Sequence, residues 1–286
     1  MRLQFLAAAV LLCCVWQSCN IINPKEKVPT YIRLDSFSVK TNDYSRTGSV
    51  SSKITGAWVY VNNSLIGAFE IPSTVPIIID NKSTVSIAPG IDFGGLKNYM
   101  ATYPFYTFDT FQVSPSNGSI ITHSGVIKYS DAANFRWIGD FETGNKFQKV
   151  NTATVSDTSM VRVSSADKVF EGGASGYIYM DSNHPTSENI STDDITIPSG
   201  EAYLEVNYKC NTTLNIGLQT VVSGDIKYEY LMGIKPNENW NKLYLNLSSF
   251  TSKYKGTAYH IMIKSGLQDG QSNAYVLFDN FKVVTY

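Results

Sequence analysis

Charge is scarce in this chain. Only 16% of its residues are Asp, Glu, Lys or Arg, and the formal net charge is −1. Without a basic surplus to neutralise phosphates, nucleic acid is not expected as a partner. Histidine is scarcer still: His123, His184 and His260 fit no zinc spacing, and each is expected to be solvated or satisfied locally. There is no Gly-x-Ser-x-Gly elbow, phosphate-binding loop or dinucleotide fingerprint. Gly173-Ala174-Ser175-Gly176 places a Ser among small residues but lacks the strand-to-helix setting of a nucleophile. Beyond the first residues, no apolar run approaches the roughly 20 residues that a spanning helix needs.

Cysteine is sparse too, at four residues: Cys13, Cys14, Cys19 and Cys210. Their positions matter more than their number. Met1-Arg2 carries one positive charge, residues 3–16 are apolar except Gln4, and Gln17-Ser18-Cys19 follows. That is the layout of an export signal: a basic start, a short apolar core, then small residues at a cleavage point. It resembles the signals of bacterial lipoproteins, with Ser18-Cys19 in the pattern and Trp16 and Gln17 departing from its strict form. Looser versions are familiar in Bacteroidetes lipoproteins. The resemblance implies that residues 1–18 are removed and that Cys19 is acylated. The alternatives are an ordinary signal peptide cut nearby and an uncleaved anchor, for which the run is short. Several acyl chains would hold the protein at a membrane, each buried methylene contributing about 0.8 kcal/mol.

Cys210 would then be the one free thiol, leaving no intrachain disulfide. Its strand-like setting, Tyr208-Lys209-Cys210-Asn211, points to a buried structural thiol. Residues 19–29 read as a tether containing Pro24, Pro29 and Lys25-Glu26-Lys27. The acidic run that follows the Cys in many surface-exposed Bacteroidetes lipoproteins is missing. The expected location is therefore the cell outer membrane, with the periplasmic and surface faces both open.

What the chain does have is aromatic and turn-forming residues: 18 Tyr, 14 Phe and 20 Gly. From residue 31 onward strand signals repeat without a long helix-period segment. Residues 32–40 alternate, with a slip at Asp35-Ser36 that reads as a bulge. Residues 57–61 and 65–71 flank a turn at Asn62-Asn63, and residues 105–113 read as an aromatic strand. Residues 131–139 read as a join between domains, residues 181–200 as a long polar loop, and the remainder as short strands. The expected fold is all-β: an N-terminal β-sandwich over residues 30–138 and a second sandwich over residues 139–286. Trp58-Val59-Tyr60-Val61-Asn62-Asn63-Ser64-Leu65-Ile66-Gly67-Ala68-Phe69, followed by Ile71-Pro72-Ser73, resembles the carboxypeptidase-regulatory-like and PEGA-type β-domains of envelope proteins. Those modules act mostly as spacers or sites of protein contact.

The second half carries a further resemblance. Asp140-Phe141-Glu142-Thr143-Gly144, Gly172-Gly173-Ala174-Ser175-Gly176-Tyr177, Asn239-Trp240-Asn241-Lys242-Leu243-Tyr244 and the run from Tyr275 to Val283 resemble, in that order, galactose-binding-like jelly rolls, a superfamily with many carbohydrate-binding modules. The resemblance implies a jelly roll, a glycan ligand and a structural calcium held by Glu142 and Asp279. Physical chemistry leaves Asp279 two roles. An acid between Phe278 and Phe281 needs compensation when buried, from calcium oxygens or from N–H donors at a strand end. No other cofactor is expected.

Aromatic platforms with a few polar groups are what a glycan site requires. Tyr177, Tyr179, Tyr203, Tyr208, Tyr228, Tyr230, Tyr244 and Tyr259 are candidates. Tyr228-Glu229-Tyr230 is singled out because strand alternation puts both rings on one face. Trp240 reads as structural packing. Glycoside hydrolysis would need two acids roughly 5–9.5 Å apart. Glu142, Glu171, Asp193, Asp194 and Glu201 are available, but no spacing places them, so this enzymatic alternative is remote. The chain reads as a non-catalytic envelope lipoprotein presenting a binding surface to a glycan or, alternatively, to partner proteins of an outer-membrane assembly.

Overall fold

The computed structural model describes residues 26–95, 99–116, 118–150 and 158–286. Cys19 lies outside them. Among the described residues no helix is long and apolar enough to cross a membrane.

The first half contains β1 (Thr30–Val39), β2 (Gly56–Val61), β3 (Ser64–Glu70), β4 (Ser73–Ile77), β5 (Ser83–Asp92), β6 (Met100–Thr102), β7 (Asp109–Val113) and β8 (Ile120–Ile127), with a one-turn helix α1 (Tyr44–Thr47) after β1. One sheet runs β4-β1-β8, with β1 antiparallel to β4 and parallel to β8. The other runs β3-β2-β5-β6, with β7 also on β5. Alternation decides the faces. Ile32, Leu34, Val59, Val75, Val85 and Ile87 meet between the sheets, while Trp58 and Tyr60 turn outward. The slip near Asp35 is a true bulge, since the β1–β8 register shifts between Leu34 and Phe37. Asn62 and Asn63 take the left-handed φ values of 47° and 67° that a tight hairpin asks of its two central residues.

The second half contains β9 (Asn134–Gly139), β10 (Phe147–Lys149), β11 (Val161–Val163), β12 (Ser175–Asp181), β13 (Thr186–Ser191), β14 (Ala202–Cys210), β15 (Leu214–Val222), β16 (Asp225–Ile234), β17 (Asn237–Asn246), α2 (Ser248–Lys253), β18 (Tyr259–Gly266) and β19 (Asn273–Thr285). Its sheets run β11-β12-β19-β14-β17 and β10-β13-β18-β15-β16. They close over Leu204, Val206, Ile216, Leu218, Ile261, Ile263, Val276 and Phe278, the core of a jelly-roll sandwich. Each such side chain contributes about 1.5–3 kcal/mol on burial. The fold is thus the expected pair of β-sandwiches.

Three local readings are corrected. Residues 131–139 are not only a join: β9 pairs along β19 from Gly139–Phe281 to Asn134–Thr285. The strand expected over residues 105–113 begins at Asp109, because Phe105 and Tyr106 fold inward and are buried between the sandwiches. The polar loop expected over residues 181–200 contains β13, a strand between β10 and β18. Its inward side chains are Ser187, Asn189 and Ser191, and polarity hid it. Each is hydrogen-bonded inside: Asn189 Oδ1 accepts from Met160 N–H at 2.8 Å, Ser187 Oγ–H reaches the Thr158 carbonyl at 3.0 Å, and Ser191 Oγ accepts from Ile261 N–H at 2.9 Å. A polar strand is tolerated in a core when its groups are paired.

Candidate functional site

β16 is the edge strand of its sheet, pairing β15 alone. The β15–β16 register shifts between Ile216 and Gly217, so Tyr230 lies opposite Gly217 and Tyr228 opposite Gln219. A Cβ on Gly217 would stand 2.0 Å from the Glu229 carbonyl oxygen, so this close strand approach requires glycine. The next strand continues the outward face with Met262 beside Gly217 and His260 beside Gln219. Beyond it lies Glu188, opposite Lys264.

On this face the Tyr228 and Tyr230 rings stand 6.4 Å apart at 75°. Tyr228 is 57% exposed and Tyr230 half-buried. The Tyr230 hydroxyl donates to Glu188 Oε1, and Lys264 Nζ lies 3.9 Å from Glu188 Oε2. Burial, reinforced by the Glu188 carboxylate, raises the Tyr230 phenol well above its usual value, so it acts as a donor. Glu229 points the other way, to Lys253 Nζ and to the Tyr254 hydroxyl at 3.1 Å. The result is one exposed ring, one ring fixed by its hydroxyl, and carboxylate, ammonium and amide groups in the same surface.

The other candidate tyrosines separate cleanly. Tyr203, Tyr208, Tyr244 and Tyr259 are buried. Tyr177 and Tyr179 form a second outward pair, 6.3 Å apart, on the opposite sheet. Lys168 covers Tyr177 at 4.2 Å. Trp240 packs against Phe170, ring centres 5.3 Å apart.

Glu142 and Asp279 both reach the loop before β12. Glu142 Oε1 accepts from the N–H groups of Gly173 at 2.8 Å and Ala174 at 3.3 Å. Asp279 is fully buried. Its Oδ2 accepts from the Ser175 hydroxyl at 2.8 Å and Glu171 N–H at 3.2 Å, and its Oδ1 from Asn280 N–H at 2.8 Å. Calcium takes six to eight oxygens. The groups facing these carboxylates are N–H and O–H donors, and among the described residues no three His, Cys, Asp or Glu side chains are grouped to hold a metal. Both carboxylates are satisfied as hydrogen-bond acceptors. Chelation with EDTA is expected to leave the melting temperature unchanged; a fall reversed by added calcium would overturn that reading.

Asp279 should also leave a pH signature. Burial raises its carboxyl to about 6, against the opposing pull of its donors. The folded state then binds a proton that the unfolded chain releases near 3.8. Stability from this group is gained as pH falls from about 6 towards 4, by at most about 1.4 kcal/mol per pH unit. The stability of the native protein relative to Asp279→Asn is expected to grow over that interval in denaturant melts. Parallel curves would refute the assignment.

The remaining acids do not converge. Glu171 accepts from Asn280 Nδ2 at 3.0 Å and from Ser49. Asp193 accepts from Trp137 Nε1 at 2.8 Å, and Asp194 lies 3.3 Å from His260. His123 meets Asp109 and stacks on Phe111 at 3.8 Å, while His184 meets Asp181 at 3.3 Å. Cys210 is buried, and burial raises its thiol above the usual value.

One constellation escaped sequence reasoning. Fully buried Glu205 accepts from the hydroxyls of Tyr103 and Tyr129, each at 2.8 Å. Lys242 Nζ lies 3.1 Å from its Oε2, an ion pair held by charge, not by an aligned hydrogen bond. Lys282 Nζ donates to the carbonyls of Thr47, at 2.7 Å, and Ser49. Tyr244 hydroxyl accepts from Lys53 N–H at 3.0 Å and meets the Tyr106 hydroxyl at 3.1 Å. The signal was present: Glu205 and Lys282 each interrupt an apolar strand. Because the network joins both halves internally, it locks the sandwiches together and opens no ligand site.

No known protein family and no curated protein matches the chain in sequence. Solved structures resemble its fold at low identity. A family 61 carbohydrate-binding module in complex with β-1,4-galactotriose matches at 12% identity and a TM-score of 0.34, over 51% of this chain and 93% of the module. A cleaved adhesin domain of Lys-gingipain from Porphyromonas gingivalis matches at 10% identity and 0.38, over 54% of this chain and 100% of that domain. The CBM22 tandem domain of Paenibacillus barcinonensis Xyn10C matches at 14% identity and 0.38, over 54% of this chain and 45% of that one.

Proposed function

We propose that the protein is a non-catalytic, glycan-binding lipoprotein of the cell envelope. Acyl chains on Cys19 tether it to the outer membrane, and the outward face at Tyr228 and Tyr230 is its ligand surface. The observation that carries the reading is the placement of exposed Tyr228 and half-buried Tyr230 in one sheet face with Glu188, Gln219 and Lys264. A sugar ring offers C–H groups to an aromatic face and hydroxyls to fixed polar groups, and this surface supplies both. The acids a glycosidase would need are instead spent on backbone donors, Trp137 and His260.

A second reading, a partner protein, draws on the first sandwich. Leu65, Ile66 and Phe108 are 56%, 44% and 56% exposed, and Phe108 packs edge-on to Tyr60 at 5.9 Å. Exposed apolar clusters of this kind mark interaction surfaces. A glycan array probed with the purified protein, beside a pull-down from crosslinked membranes, separates the readings. Silence on the array together with a stoichiometric membrane partner would defeat the glycan assignment.

A further inference from the structure

A cleft of about 550 Å³ opens where the two sandwiches meet. Arg46 of α1, then Asn134, Phe135, Arg136 and Trp137 of β9, and Lys146 before β10 line it. Its volume lies within the roughly 300–1,000 Å³ of ligand pockets. Three cations face it in a chain whose net charge is −1.

Little of that positive charge is neutralised. Arg46 Nη2 donates to the carbonyls of Ala133 at 2.5 Å and Asp131 at 3.3 Å, and its guanidinium lies 5.4 Å over the Phe135 ring. Arg136 donates Nε–H to Thr285 Oγ1 at 2.9 Å. Among the described residues its terminal nitrogens have no protein acceptor. Lys146 donates to the Ile138 carbonyl at 2.8 Å and lies 3.5 Å from Asp193. Asp193 is, among the described residues, the one carboxylate in ion-pair contact with any of the three, and Asp43, which accepts from Arg46 N–H, also feels the Arg46 charge.

A guanidinium held by one edge keeps a second edge for a planar or tetrahedral oxyanion, which it grips more strongly than it would a neutral oxygen. Neither ring offers the cleft a free face: Trp137, 6% exposed, packs inside the second sandwich against Phe147 and Phe281, and Phe135 lies beneath Arg46, so the cleft presents its cations. We propose that this cleft is a second, separate ligand site, which takes the acidic residue of a glycan, its carboxylate or sulfate lying between Arg136, Arg46 and Lys146. The site stands on different elements from the Tyr228–Tyr230 face; that its oxyanion is carried by a glycan rests on the proposed function.

Calorimetric titration of the whole protein with a galacturonate trisaccharide, its methyl ester and inorganic sulfate tests the site. The acid is expected to bind, more weakly as salt rises, and the ester at least tenfold more weakly. Arg136→Gln should weaken the acid at least tenfold with unchanged melting; if that variant melts early, Lys146→Gln provides the same readout. Lys255→Gln, on an exposed loop, should change nothing. Competition by sulfate against the trisaccharide supports the shared oxyanion chemistry. Absence of binding by the acid, sulfate binding alone, equal affinity for acid and ester, or equal affinity of native and Arg136→Gln proteins would each overturn the assignment.

Discussion

Glu205→Gln is expected to destabilise the protein by about 3–5 kcal/mol, the usual result of removing one partner of a buried ion pair. For a chain of this size that lowers the melting temperature by roughly 10 °C. The substitution keeps the side chain's shape and removes its charge. Lys242, 5% exposed, would then be left as a buried ammonium group without a carboxylate, and Lys282, 1% exposed, with Glu171 alone. Burial works against the ionised carboxyl, yet Lys242, Lys282 and the two tyrosine hydroxyls hold Glu205 below its usual value. Its contribution is therefore present above the ordinary carboxylate range and lost as pH falls through it.

Lys282 acts in the opposite sense. Burial lowers its amine to about 8, with Glu205 resisting, so the folded state releases a proton that the unfolded chain keeps to about 10.5. Stability from this group should rise between those values, and Lys282→Met should abolish the rise. Tyr103→Phe, which removes one hydrogen bond, should cost only about 1 kcal/mol. Because Tyr103, Tyr129, Thr47 and Ser49 come from the first half and Glu205, Lys242 and Lys282 from the second, one cooperative transition is expected in calorimetry. Two separate transitions, or an unshifted Glu205→Gln melt, would show that the network does not couple the sandwiches.

Tyr228→Ala is expected to weaken binding of the glycan identified on an array by ten- to a hundredfold, the loss typical of a contact ring at the centre of an interface. Tyr228 is largely exposed, and truncating an exposed side chain changes stability by only about 0.5 kcal/mol. Binding and folding are thus separable in this variant. Tyr230→Phe keeps the ring and loses the hydroxyl bond to Glu188. It should weaken binding less than Tyr228→Ala, because the ring itself is kept. An affinity for Tyr228→Ala within twofold of native would move the ligand surface elsewhere.

Much of the architecture was legible because β-structure writes itself in alternation. The bulge after Leu34, the Asn62-Asn63 hairpin and the parity of Tyr228 and Tyr230 each follow from a period of two or from local turn chemistry. β13 was not legible, because Ser187, Asn189 and Ser191 look solvated until their buried partners at Thr158, Met160 and Ile261 are known. The strand expected from residue 105 shortened for a related reason. Phe105 and Tyr106 are as strand-like as any residues here, but a second apolar surface competes for them.

The same contrast separates the two kinds of knowledge about this protein. Scarce charge and period-two patterning decide, with no tertiary information, that the chain forms sheets, because each residue's face follows from its immediate neighbours. Glu205, Lys242 and Lys282, and the cleft of Arg46, Arg136 and Lys146, lie about ten to a hundred residues apart in the chain. Pairing of β14 with β19 and β17 sets the first three side by side, and the packing of one sandwich on the other closes them in and completes the cleft. A lone charge in an apolar strand announces that a partner is needed, since burying it unpaired is costly. Which partner, and whether the meeting is a sealed lock or an open cleft, is decided by the folded surfaces.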